Sequence, residues 1–358
     1  MNLKFAMHRL LMYSPETVRK ILDENISKED VFELPQHKLW LMNIFTPGQL
    51  YNIEEIKRNG TEEDEKIFEK SGMKYVCIED DDYPQRLRNI STPPYGVFYY
   101  GHLPPESFGV GVVGSRNTGA YGSVTAYNIG RDFALRGISV ISGLARGVDV
   151  CSHRGALEAG GYSAGVLGCG ADECYPRENI RVYKRLKETG GIISEFFPGT
   201  GALRSHFPMR NRIISALSDV LIVVEAREKS GSLITAAHAL EQGREIYAVP
   251  GEINSRLAAG TNYLISQGAG VYTSADDLLD DLSVEYKFVP EMSENRKPCL
   301  AKSENMVYSV ITLLPKSIDE IMTETGLEIK EVLGIVGFLA SKGYIAEIGK
   351  NMYVRLGR

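Results

Sequence analysis

From residue 108 to residue 282 the chain alternates Val- and Ile-rich runs of strand length with helical segments, which predicts an α/β fold. The strand runs are nearly continuous in apolar residues, the mark of a parallel sheet covered on both faces. The flanks break this pattern: residues 1–70 read as helices alone, and residues 304–358 as helices followed by a hairpin. The expected architecture is an extended Rossmann-like core with a mostly parallel sheet. A small N-terminal helical domain and a C-terminal winged-helix-like domain flank it.

In the N-terminal 1–70 segment, helices are expected at 3–12, from the Ser14-Pro15-Glu16 start through 18–22, and around Trp40 and 53–57. The run Glu62-Glu63-Asp64-Glu65-Lys66 reads as a solvated helix face, and no Gly-x-Gly hairpin of the helix-hairpin-helix type is present. The core is expected over 71–282. A strand at 73–78 precedes an irregular connection in which Pro84, Pro93 and Pro94 forbid continuous helix, and a second strand follows at 97–100. Strands are then expected at 108–113, 138–141, 162–167, 191–195, 220–225, 245–249 and 271–273. The helices between and after them are expected at 121–135, 147–159, 178–189, 209–217, 233–242, 261–267 and 275–282. A polar linker is read at 283–303. Helices at 304–314, 317–325 and 330–341 and strands at 344–348 and 352–356 complete the chain. The third of these helices carries only Lys330 and Lys342 as cations and includes Glu331, so it suits protein contact better than a DNA groove.

No apolar run reaches membrane-span length and the N-terminus lacks a signal-peptide cleavage pattern, so a cytoplasmic protein is expected. Five scattered cysteines form no Cys-x-x-Cys and sit near no His pair, which argues for reduced thiols rather than a metal or disulfide framework. The net charge of −6 is unevenly spread: residues 108–273 hold 17 Lys and Arg against 14 Asp and Glu, so the rest carries −9. Fourteen of those 17 cations are Arg, whose planar fork suits phosphates and stacked bases.

Four loops carry the chemistry. Gly109-x-Gly111-x-x-Gly114 matches a dinucleotide fingerprint in form only: its glycines lie within the strand, and the next strand ends in Leu144-Ala145-Arg146 without the ribose-binding acid. No cofactor is expected. Gly114-Ser115-Arg116-Asn117 leaves the first core strand and opens a helix, combining close backbone approach, a hydroxyl and a bidentate cation. Arg146 sits in a second small-residue turn, before Asp149 and His153, the latter read as a satisfied core histidine. The stretch Phe207-Pro208-Met209-Arg210-Asn211-Arg212 offers a stacking ring beside two guanidiniums, one of which is expected to pair with a sheet carboxylate. Lys229-Ser230-Gly231-Ser232 brings cation, hydroxyls and free N–H groups to another helix start. Several such loops on one sheet edge form a strip, which suits a polymer.

These loops, with Val-Val-Glu-Ala at 223–226, Val-Pro-Gly at 249–251 and Gly260-Thr261-Asn262-x-Leu264-Ile265, stand in the order seen in the DprA/Smf (DNA-processing protein A) family. The chain resembles that family from about residue 83 to 282. The resemblance implies a non-enzymatic single-stranded DNA-binding protein that protects incoming DNA and loads RecA recombinase onto it during natural transformation. It also implies a homodimer through the later part of the core. The expected DNA contacts are Gly114, Ser115, Arg116, Asn117, Arg146, Phe207, Arg210, Asn211, Arg212, Lys229, Ser230, Gly231 and Ser232, with no catalytic or metal residue. The alternative is a nucleotide-processing hydrolase of the lysine-decarboxylase-like Rossmann group, whose Pro-Gly-Gly-x-Gly-Thr-x-x-Glu loop this chain resembles at 228–235 but without the catalytic Glu. For that reading, Glu195 and Glu225 at strand ends are the available acid/base groups.

Overall fold

The computed structural model describes residues 1–286, 300–312, 316–342, 344–349 and 351–355. Most of the expected linker, the ends of the helix expected to 314 and of the strand expected to 356, and Lys350 of the terminal turn lie outside the described residues. Nine strands form the main sheet: β1 (Lys74–Cys77), β2 (Gly96–Gly101), β3 (Gly109–Val113), β4 (Ser139–Ser142), β5 (Ser163–Leu167), β6 (Gly191–Ser194), β7 (Val220–Val223), β8 (Glu245–Ala248) and β9 (Gly270–Val271). Their order is β1-β2-β6-β5-β4-β3-β7-β8-β9. From β6 to β9 every neighbouring pair is parallel, while β1 and β2 extend one edge in antiparallel pairing.

Strand alternation sends side chains to both faces. Val110, Val112, Val140, Val220 and Ile222 belong to one core, with Ile129 and Phe133 packed against them. Ile141, Ile193, Leu221 and Val223 belong to the other, with Ile213 and the N-terminal helices. Those helices are α1 (Leu3–Leu11), α2 (Pro15–Asp23), α3 (Lys28–Glu33), α4 (Gln36–Leu41), α5 (Pro47–Asn59) and α6 (Glu62–Ser71). Ser27 with Asp30, and Thr46 with Gln49, close reciprocal capping boxes, and this is why α3 and α5 start where they do. From α1, Phe5 meets Tyr75, Phe98 and Phe197 edge-on at centroid distances of 5.1, 5.9 and 5.8 Å. His8 lies beside the same rings, with Nε2 donating to the Glu195 carbonyl at 2.7 Å and Nδ1 facing the Tyr75 hydroxyl at 3.0 Å.

A short turn, α7 (Gln85–Arg88), precedes the core helices α8 (Ala120–Ala134), α9 (Val148–Glu158), α10 (Ile180–Thr189), α11 (His206–Ala216), α12 (Gly231–Glu241), α13 (Ala259–Ser266) and α14 (Ala275–Asp281). Helix α11 begins three residues before the expected start at 209, with Pro208 in its first turn. That turn leaves its N–H groups unpaired in any case, so a proline there breaks nothing. Helix α12 starts two residues before the expected 233 because Ser230 caps it, its Oγ accepting from the Ser232 N–H at 3.4 Å.

The C-terminal segment comprises α15 (Lys302–Val310), β10 (Lys316–Ser317), α16 (Ile318–Thr325), α17 (Ile329–Ser341), β11 (Ile345–Gly349) and β12 (Met352–Arg355), with strand order β10-β12-β11. Val307, Ile321, Val332, Leu339 and Ile345 form a core separate from those of the main sheet. The short β10 was not expected from sequence, since two residues are too few to show a period.

Helices α8 and α9 cross in close contact because glycines face the partner backbone: a Cβ on Gly130 would sit 2.0 Å from the Ser152 carbonyl oxygen, and one on Gly155 1.9 Å from that of Tyr127. Neither obstacle is a side chain that can swing away. Gly155→Ala is expected to destabilise the protein by about 1–3 kcal/mol, read as a lower urea midpoint, although alanine is the better helix former.

Burial holds His8 neutral, with its pKa lowered from 6.5 to about 4. The unfolded chain takes up a proton there below pH 6.5 and the folded chain does not until about pH 4, so stability falls across that window. Urea titrations should show the loss, on the order of 3 kcal/mol at its limit, and His8→Gln should flatten the slope.

Candidate nucleic-acid interface

The chain passes from β3 to β4 on one side, and the later crossover into β7 lands on the other side of β3. At this switch point the loops after β3 and β7 diverge and open a crevice at the carboxyl edge of the sheet. A cleft of 660 Å³ occupies it, lined by residues after β3, from α11, and from the loop between β7 and α12.

Gly114, Ser115, Arg116 and Asn117 form one wall. The turn is held by Ser115 Oγ, which accepts from the Asn117 N–H at 3.2 Å, and by the Val148 N–H, which donates to the Ser115 carbonyl at 3.2 Å. Gly147 permits this contact: its φ is +72° and a Cβ would sit 2.2 Å from that carbonyl oxygen. Glu225, at the end of β7, accepts from the Thr118 hydroxyl at 2.7 Å and the Gly119 N–H at 3.0 Å, pinning the loop to the neighbouring strand.

The opposite wall is Lys229, Ser230, Gly231 and Ser232 at the start of α12. Its first turn carries no acidic residue, so the positive end of the helix faces the cleft unopposed. Asn211 ties α11 to this turn through a 3.3 Å bond to the Gly231 carbonyl.

Between the walls lie Phe207 and Arg210. Arg210 is only 3% exposed, and its Nη1 donates to the carbonyls of Gly143, at 2.8 Å, and Val166. It thereby joins the carboxyl ends of β4 and β5. Desolvation lowers its pKa to about 10, against the favourable field of buried Asp149, so it remains a cation at neutral pH. The Asp149 carboxyl is pushed upward by burial, with Arg210 opposing that shift. Phe207 is half-buried, with Arg116 over its ring at 4.9 Å and the Tyr175 ring 5.6 Å away.

Two expected site residues lie elsewhere. Arg212 is also 3% exposed, but it points out of the cleft, pairing with Glu195 at 2.7 Å and donating to the Met209 carbonyl at 3.0 Å. The two guanidiniums of α11 face different ways because residues two apart on a helix are about 200° apart. Arg146 lies on the margin, lining a 60 Å³ recess behind Phe207 and pairing with Glu178 at 2.5 Å. Sequence reasoning missed Tyr175, Arg204 and Arg227, which line the cleft and are exposed. Arg227 was legible as the partner of Lys229 across one loop. Tyr175 and Arg204 sit in irregular segments whose folding no period announces. Among the described residues no carboxylate pairs with Arg116, Arg204, Arg227 or Lys229. His153, by contrast, is buried with Nδ1 2.7 Å from Ser163 Oγ.

Residues 74–283 match the family described as DNA recombination-mediator protein A, a span of more than half the chain. The chain belongs to this family. Among members of the family, the DNA processing protein DprA of Bacillus subtilis is 41% identical over 217 residues, covering 60% of this chain and 73% of its own. Protein Smf of Escherichia coli is 36% identical over 300 residues, covering 81% and 79%. The crystal structure of DprA from Streptococcus pneumoniae superposes with a TM-score of 0.69 at 31% identity, covering 80% of this chain and 99% of that one. A structure of the Helicobacter pylori family member, reported for its single-stranded DNA binding mode, superposes at 0.54 with 27% identity, covering 61% and 99%.

The Arg212–Glu195 pair is almost solvent-free, so removing one partner strands a buried charge. Arg212→Ala should cost about 3–5 kcal/mol in chemical denaturation, while Arg116→Ala should change stability by no more than about 0.5 kcal/mol.

Proposed function

We propose that the chain binds single-stranded DNA in this cleft with little sequence preference and passes it to RecA. The observation that carries the reading is the gathering along one sheet edge of four cations that no carboxylate among the described residues pairs with, a half-buried phenylalanine and an open helix N-terminus. Cations and N–H groups neutralise a phosphate backbone, while ring stacking holds bases of any identity at about 1–3 kcal/mol each. The Helicobacter pylori relative, reported for binding single-stranded DNA, supports the same reading. On this reading the contacts are Gly114, Ser115, Arg116, Asn117, Phe207, Arg210, Asn211, Lys229, Ser230, Gly231 and Ser232, with Tyr175, Arg204 and Arg227 added and Arg146 at the margin.

Membership of the family supports protection of incoming DNA, loading of RecA and a part in natural transformation. We further propose the domain division 1–70, 71–282, 283–303 and 304–358, with the last a winged-helix-like module. Exposed Leu240 on α12, Ile253 in the loop between β8 and α13, and Tyr263 on α13 support a homodimer through the later part of the core. The hydrolase alternative draws less support, because Glu195 is engaged by Arg212 and Glu225 by Thr118 and Gly119. No helix among the described residues is long and apolar enough to cross a membrane.

Fluorescence anisotropy with a labelled oligothymidylate tests the cleft. Arg116→Ala with Lys229→Ala should weaken binding at least tenfold and reduce the slope of log K against log salt by about 1.4, since each single-strand phosphate contact contributes about 0.7. Equal affinity for duplex and single strand, or an unchanged slope, would remove the assignment. Assembly of recombinase filaments on strands precoated with single-strand-binding protein checks the loading step.

A further inference from the structure

A strand lying in the cleft has to leave it, and the two exits differ in charge. Towards β8 the surface carries exposed Glu228 and Glu252 beside the cations. The other exit passes Tyr175, which is 44% exposed, and reaches Arg146 and the start of α10. Helix α10 runs into β6 through Thr189 and Gly190, so its N-terminus stands at the carboxyl edge of the sheet, beside the cleft mouth. Asn179 anchors that end by donating to the carbonyls of Leu144, at 2.9 Å, and Ala145, at 3.3 Å.

The inner face of α10 buries Val182, Tyr183 and Leu186. Its outer face presents Arg177, in the preceding 3-10 turn, then Arg181 and Lys184, all exposed. Arg181 and Lys184, three residues apart on α10, have Cβ atoms about 5–6 Å apart, and Arg177 stands in the 3-10 turn that leads into them. Arg185 is drawn off by a 2.7 Å bond to the Leu157 carbonyl, and Lys187 lies over the Tyr100 ring. The acids on this helix face are Glu178, taken up by Arg146, and Glu188 at the far end. An amphipathic helix needs a polar outer face to stay in water, but a mixed one would serve. Here every charged residue between Glu178 and Glu188 is a cation, with Ile180 exposed beside them, and no carboxylate among the described residues pairs with Arg177, Arg181 or Lys184.

We infer that the DNA strand, on leaving the cleft past Tyr175, continues along the row formed by Arg177, Arg181 and Lys184. This rests on the strand-binding reading above and extends it from a cleft to a path. The ligand of the row is the sugar-phosphate backbone alone, since α10 offers no exposed aromatic ring between Arg177 and Glu188. The Arg146–Glu178 pair stands at the junction. Both partners are more than half exposed, so a phosphate can draw Arg146 from Glu178 at little cost.

The test compares oligothymidylates of about 6 and about 20 nucleotides, one able to fill the cleft and one able to reach the row as well. The full-length chain carrying Arg177→Gln, Arg181→Gln and Lys184→Gln together is the variant, with its thermal transition checked against the parent. These substitutions touch no buried contact, so the fold should be retained. The expected result is a loss of at least tenfold in affinity for the longer oligomer, a salt slope shallower by about 2, and unchanged binding of the shorter one. An unchanged affinity and slope for the longer oligomer, or equal losses for both lengths, would overturn the path. Arg116→Ala in parallel separates the two readings: if it leaves both oligomers bound as before, the cleft itself is wrong and the path falls with it.

Discussion

Strands β3 and β7 lie side by side while the chain leaves them towards opposite edges of the sheet, and the crevice this opens is the constraint on which everything else depends. A parallel sheet aims its loops at one edge, and a reversal of strand order pulls two of those loops apart. Glu225 then holds the β3 loop against β7, and Asn211 holds α11 against the start of α12. The cleft walls are thus braced by bonds that the sheet itself organises.

Arg210 shows how one group can hold the fold and line the cleft at once. Its guanidinium satisfies two carbonyls at strand ends, which fixes the loops after β4 and β5, yet it still lines the cleft as a cation. Two residues on, Arg212 is spent wholly inside, where its pair with Glu195 sits next to the carbonyl that receives His8 from the N-terminal helix. The N-terminal helices and the sheet therefore meet at Glu195, with α1 bonding its main chain and α11 its side chain.

The cationic character of the site comes from charges left without partners rather than from a basic protein. The chain is acidic overall, and Arg86, Arg136 and Arg212 are spent on Asp219, Asp276 and Glu195. Among the described residues, Arg116, Arg204, Arg227 and Lys229 of the cleft have no carboxylate partner. A field focused by low-dielectric walls attracts a polyanion even when the net charge is negative.

The sequence by itself determined the α/β class, because near-continuous Val and Ile runs suit only strands buried on both faces, and it marked the loops after β3 and β7 through their small, hydroxyl and cationic residues. It showed that α11 carries two guanidiniums but not which way each turns. Only the tertiary structure decided that, since the answer depends on Glu195 lying at one side of α11 and the ends of β4 and β5 at the other. Tyr175 and Arg204 entered the site in the same way, from irregular segments whose path is set by packing against other elements and not by any period of their own. Local pattern specifies which backbone a segment prefers. Which distant residues it meets is settled by chain topology, and a site assembled from four loops is made of such meetings.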